Sequence, residues 1–188
     1  MKTIIDEYLS EVSKNFENLK NQSDNIEKAA NIIIEALEKN NKIIFCGNGG
    51  SAGDSQHLAA ELMGRYKKDR KPLPAIALTV DTSAITAIGN DYGFNKVFSR
   101  QLEGVGIKGD VLIAISTSGK SGNIIDAVNV AKKMNITVIS LTGKDRSALS
   151  ENSNISIMAP SSETNHIQEM HITIGHLICG IVENKFFS

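Results

Sequence analysis

The segment CGNGGSAGDSQHLAAELMGRY, Cys46 to Tyr66, places His57 and Glu61 four residues apart. On a helix that spacing puts both on one face. A carboxylate so placed can serve as a general base, and an imidazole with a carboxylate can ligate zinc. Taken alone, the pair also fits a solvated surface pair. Near the C-terminus, IQEMHITIGH (167–176) carries Gln168, His171 and His176 among apolar residues. Gln168 and His176 lie about 12 Å apart along a straight helix. They either reach one centre from opposite ends or serve different copies of the chain. A third polar set, STSGKSGN (116–123), offers the hydroxyls of Ser116, Thr117, Ser118 and Ser121 around a glycine. The helix expected after Asn123 adds N–H groups and a positive dipole end, which favour an anion.

These groups need elements to hold them. Ile4, Ile5, Tyr8, Leu9, Val12, Phe16 and Leu19 recur at helical spacing over residues 3–21. A second helix is predicted from Ser23-Asp24, with Asp24 and Glu27 as a capping box, ending at Asn40-Asn41. Then the period changes. KIIFC (42–46), AIALT (75–79), DVLIAIS (110–116) and TVISLT (137–142) are short apolar runs, and ISIMA (155–159) is a weaker fifth. Runs apolar on both faces suit a parallel sheet covered by helices, and strand–helix alternation points to a doubly wound α/β fold. The expectation is one domain, 1–188. It has an N-terminal helical pair (1–40), a mostly parallel five-stranded core (41–163) and one long C-terminal helix (164–188).

In such sheets ligands bind beyond the C-terminal strand ends, where GNGGS (47–51) and the serine-rich turn both lie. The first turn fits G-x-G-x-x-A through Ala52. However, the candidate ribose acid, Asp81, lies about 30 residues on rather than about 20. The helix that follows carries Asp54 and Glu61, which suit a pyrophosphate poorly. AISTSGKS (114–121) misses a P-loop at Ala114, which sits inside an apolar run. A monophosphate cradle, suited to a sugar phosphate, fits the second turn better than a nucleotide site does.

Composition narrows the partners. The chain has 188 residues, 41% hydrophobic and 22% charged, with net charge −1. That charge offers no basic field for nucleic acid or an anionic membrane. The N-terminus lacks the apolar core of a secretion signal, and no apolar run reaches the roughly 20 residues of a membrane span. Two cysteines, Cys46 and Cys179, form no ligand cluster or disulfide framework, so a cytoplasmic location is expected.

CGNGGSAGDSQHLAAELMGRY, GNDYGF (89–94), STSGKSGN, LTGKD (141–145) and IQEMHITIGH together resemble the bacterial phosphoheptose isomerases of the SIS fold. The likeness spans nearly the whole chain in family order. The serine loop alone marks an SIS domain, while the HLAAEL helix with IQExHxxxxH is the specific part. The resemblance implies conversion of sedoheptulose 7-phosphate to D-glycero-D-manno-heptose 7-phosphate, which feeds activated heptose for surface polysaccharide. It implies that Asn48, Gly49, Gly50 and Ser51 line the sugar, that Asn90 and Asp91 hold its hydroxyls, and that Ser116, Thr117, Ser118 and Ser121 bind the phosphate. It further implies a zinc site of His57, Glu61, Gln168 and His176, one ion per subunit, and a homotetramer with sites at subunit contacts. Glu61 is then the expected base and His176 the acid, with Gln168 also near substrate. Lys120, Gly122, Asn165 and His166 depart from the family pattern. A non-catalytic SIS protein that associates with a replication initiator is the alternative, and the joint presence of Glu61, Gln168 and His176 counts against it.

Overall fold

Five strands pair in the order β2-β1-β3-β4-β5, every neighbour parallel. They are β1 (Ile43–Gly47), β2 (Ala75–Ala77), β3 (Val111–Ile115), β4 (Thr137–Thr142) and β5 (Ile155–Met158). The computed structural model describes residues 1–187; Ser188, the last residue of the expected C-terminal helical segment, lies outside them. The helices are α1 (Lys2–Leu19), α2 (Ser23–Glu38), α3 (Gly50–Met63), α4 (Thr82–Tyr92), α5 (Ser99–Val105), α6 (Gly122–Lys133), α7 (Ala148–Glu151) and α8 (Thr164–Phe186). The expected α/β architecture is present, and the weak fifth run is a true strand. The sheet is wholly parallel among the described residues.

Both faces of the sheet are buried, which explains the unbroken apolar runs. Side chains alternate between faces along each strand. Ile43, Phe45, Ile113, Ile115, Ile139 and Leu141 meet α2, α3 and α8 on one side. Ile44, Cys46, Leu112, Ala114 and Val138 meet α5 and α6 on the other. Ala114 is thus mid-strand and wholly buried, so it cannot open a phosphate-wrapping loop.

Two expectations need correction. The Asp24–Glu27 capping box does not form, because a 3-10 turn (Lys20–Gln22) joins α1 to α2 and no side chain caps α2. Leu19 and Ser23 keep right-handed helical dihedrals and Gln22 departs from them, at φ −100° and ψ 4°, so the 3-10 turn carries the chain from one helix into the next. The second apolar run is strand only to Ala77. β2 is an edge strand, with β1 as its one pairing neighbour. The apolar stripe of α1 is largely bare: Ile4, Ile5 and Leu9 are 70%, 52% and 60% exposed.

His171 sits wholly buried on α8, where Nε2 meets the Thr142 carbonyl at 3.1 Å. Its Nδ1 has no partner among the described residues. Burial pushes its pKa down to about 4, against the opposing pull of that hydrogen bond, so it is a neutral donor from Nε2 at physiological pH. It fastens α8 to the end of β4. Among the described residues no helix is long and apolar enough to cross a membrane.

Candidate active site

The order 2-1-3-4-5 reverses direction between β1 and β3, since β1 leads outward to β2 and β3 leads the other way to β4. A crevice opens at that point beyond the strand ends. The turn from β1 into α3 forms one wall, and the loop from β3 into α6 forms the other. Two side-chain amides tie the walls together. Asn48 and Asn123 exchange hydrogen bonds of 2.9 and 2.8 Å.

The serine loop folds on itself. Ser116 and Ser121 hydroxyls lie 3.1 Å apart, and the N–H groups of Gly119 and Lys120 donate to the Ser116 and Ser118 hydroxyls at 3.2 Å each. Gly119 has φ +63°, which closes the loop without a Cβ penalty. A cleft is lined by Asn48, Ser51, Ser116, Thr117, Ser118, Ser121 and Gln168 over the floor of Ile115. It contains hydroxyls and amides but no carboxylate. Such groups can donate hydrogen bonds to the oxygens of an anion.

The second cluster lies where α3 passes α8. His57 Nε2 is 2.9 Å from His176 Nε2 and 3.1 Å from Glu61 Oε1. One ligating atom from each of the three residues lies within 4.8 Å of the others. Gly175 permits this approach, because a Cβ there would collide with the Leu58 side chain of α3. The next residue, His176, then reaches His57 within the same chain. The Tyr66 ring stacks on His176 with centroids 5.7 Å apart and planes 24° apart.

A family model described as the SIS domain matches residues 7–143. The phosphoheptose isomerase of Akkermansia muciniphila is 52% identical over 176 residues, covering 94% of this chain and 93% of its own. That of Nitratiruptor sp. is 58% identical over 158 residues, 84% of each chain. The chain belongs to the SIS-domain family of phosphoheptose isomerases. Solved structures agree. The phosphoheptose isomerase from Neisseria gonorrhoeae superposes with TM-score 0.91 at 39% identity, covering 97% of this chain and 98% of that one. The one from Francisella tularensis gives 0.93 at 37% identity, covering 97% of each.

Not every expected residue joins these two clusters within one chain of this family member. Gln168 packs against Gly50 and lines the serine cleft. Its helix carries it about 12 Å from His176, so within one chain the triad and the amide stand about two turns apart on α8. Asn90 and Asp91 are exposed at the end of α4, hydrogen-bonded to each other at 2.8 Å, and do not line the cleft. Asp54, one turn before His57, has a buried oxygen without a partner. Burial raises its pKa, against the opposing charge of His57.

Sequence reasoning missed the groups that fix the C-terminal end of α3. Arg70 Nη2 donates to the Glu61 carbonyl at 2.6 Å and Nη1 to the Leu62 carbonyl at 2.7 Å, serving backbone acceptors that the helix leaves unpaired. Its Nε donates at 3.1 Å to Glu183, which is only 2% exposed. The same carboxylate accepts from the N–H groups of Tyr66, Lys67 and Lys68 at 3.1, 2.9 and 3.0 Å. Glu183 thus holds both the helix bearing Glu61 and the loop bearing Tyr66. The one hint in the sequence was a carboxylate on the apolar face of α8, following Cys179 at helical spacing. Nothing pointed to Arg70 as its partner, 113 residues away.

Burial works to raise the Glu183 pKa, but the three backbone donors and Arg70 outweigh it and hold the carboxyl below its ordinary 4.5. A depressed carboxylate contributes stability above its unfolded pKa and loses it as pH falls through the folded value. Glu183→Ala, which leaves Arg70 buried and unpaired, is expected to cost about 3 kcal/mol at neutral pH. The gap to the wild type should narrow below pH 4.5. Denaturant titrations across pH measure both.

Proposed function

We infer that this chain is a ketose–aldose isomerase that converts sedoheptulose 7-phosphate to D-glycero-D-manno-heptose 7-phosphate, feeding activated heptose to surface polysaccharide. The observation that carries this is the pairing of two unlike sites along α8. A carboxylate-free hydroxyl cleft stands at Gln168, and a His–Glu–His cluster stands two turns on at His176. A ligand with its phosphate at one end and its reactive carbon at the other suits that layout, and half-identical relatives named phosphoheptose isomerase support the substrate. The initiator-binding alternative requires neither an acid nor a base, so the cluster counts against it.

In this reading Ser116, Thr117, Ser118 and Ser121 hold the phosphate, with α6 presenting its N-terminus to the same charge. Asn48, Gly49, Gly50, Ser51 and Gln168 line the sugar, and Asn90 and Asp91 contact it from a neighbouring copy. Glu61 removes a proton from C1 of the open-chain ketose and returns it to C2. His176 carries a proton from O1 to O2. The enediol between them has the composition of both sugars, so no oxidant or reductant is consumed. Arg70 and Glu183 hold Glu61 in place, and Tyr66 limits how His176 can turn.

The donor set of His57, Glu61 and His176 fits zinc. Two ligands on a tetrahedral zinc stand about 3.4 Å apart, so the 2.9 and 3.1 Å spacings need open by only a few tenths of an ångström. A zinc ion there would supply a Lewis acid for the developing oxyanion. Gln168 would complete the set from a second copy, since its own chain holds it at the serine cleft. That requires association, and the bare stripe on α1 supports a tetramer. Met63 (49%), Phe94 (61%), Leu177 (50%) and Ile181 (42%) add exposed apolar surface of a kind that marks contacts between chains. Cys46 and Cys179 are buried free thiols raised to about 12 by desolvation, consistent with a reducing cytoplasm.

Three outcomes test the reading. Glu61→Gln should lower turnover of sedoheptulose 7-phosphate by about 10²–10⁴-fold while binding of the sugar phosphate, followed by calorimetry, persists. A variant as fast as wild type removes Glu61 as the base, and no aldose product from the wild type at high concentration favours the binding protein. Exhaustive chelation should depress activity that added zinc restores; unchanged rates would make any metal incidental. Leu9→Glu on α1 should shift the light-scattering mass from tetramer toward smaller species.

A further inference from the structure

The serine loop has a second side. Thr117 and Ser118, which line the hydroxyl cleft, also line a neighbouring cavity of about 170 Å³. Its other walls carry Lys120, Lys144, Arg146 and Asp145, with Ser161 and Ser162. Among the described residues none of the three cations is within ion-pair distance of a carboxylate. Three positive charges against one negative, in a concavity, focus a positive potential toward anions. The walls are fixed to one another. Gly143 N–H donates to the Thr117 carbonyl at 3.0 Å, and Lys144 N–H donates to the Ser161 carbonyl at 3.2 Å. Gly143 is needed for that closeness, because a Cβ there would stand 2.8 Å from the Thr117 oxygen and 2.8 Å from Ile167. The loops after β4 and β5 are therefore stitched to the serine loop, and the cations stand on a built frame. None of these charges has a part in the isomerisation derived above.

We propose that this cavity is a second phosphoryl subsite. A ligand carrying two phosphoryl groups would place one in the serine cleft and the other among Lys120, Lys144 and Arg146, and would compete with the sugar phosphate. This rests on the serine loop being the phosphate cradle. Two sources share the chemistry: a diphosphate, as in a nucleoside diphosphate, and a sugar bisphosphate. The shared wall of Thr117 and Ser118 favours phosphoryl groups close together, hence the diphosphate.

Calorimetric titration with inorganic phosphate, inorganic pyrophosphate, adenosine diphosphate and fructose 1,6-bisphosphate tests this on the wild type and on Lys144→Gln/Arg146→Gln. Neither substituted residue contacts the proposed catalytic groups. Pyrophosphate should bind the wild type about tenfold or more tighter than phosphate, and the double variant should lose about that factor while its phosphate affinity stays within about twofold. Adenosine diphosphate following pyrophosphate identifies the diphosphate source; the bisphosphate doing so instead identifies the sugar. Pyrophosphate binding no tighter than phosphate, or equally tight to the variant, overturns the proposal while leaving the cradle intact. Phosphate and pyrophosphate both failing to bind the wild type would overturn the cradle itself. Equal losses for both anions in the variant would show only a general field, and would also overturn the second subsite.

Discussion

Everything at this site depends on a parallel sheet that is buried on both faces. Because neither face can meet water, helices must cover each, and successive crossovers must choose a side. The chain leaves β1 into α3 on one face and leaves β3 into α6 on the other. The two departing turns therefore part at adjacent strand ends, where a crevice is unavoidable. The Asn48–Asn123 amide pair bridges that parting at its base. The serine loop and the glycine turn are polar because they stand at the one edge where the covered sheet must open.

The second constraint is the close crossing of α3 and α8. Gly175 removes the side chain that would hold the helices apart, and Leu58 fills the gap. His57, Glu61 and His176 then meet although 119 residues separate the two histidines. A crossing this tight needs its ends fixed, and the buried Arg70–Glu183 pair does so. A buried ion pair gives little net stability over an apolar replacement. Its value here is geometric, since one carboxylate orients three loop N–H groups and one guanidinium closes the end of the helix carrying Glu61.

Much of this was legible in the sequence because it is local. The strands were readable at Ile43, Val111 and Thr137, since a strand buried on both faces shows as a continuous apolar run. The serine loop was readable because its donors are contiguous. The pair His57–Glu61 was readable because helical spacing places them on one face without help from elsewhere. The false capping box at Asp24 and Glu27 shows the limit of such reading. A local pattern for a helix start is indifferent to whether the preceding helix has actually ended.

The sequence by itself determined the fold class, the sheet edge where the two polar turns lie, and the residue types assembled there, because period and turn chemistry are properties of neighbouring residues. Only the tertiary structure decided which distant groups meet. It joined His176 to His57 and Glu61 within one chain, kept Gln168 at the serine cleft, left Asn90 and Asp91 outside it, and buried Glu183 against Arg70. Those outcomes turn on how closely two helices approach and where a loop returns. Such distances are set by packing across the whole core, which no short stretch of sequence encodes.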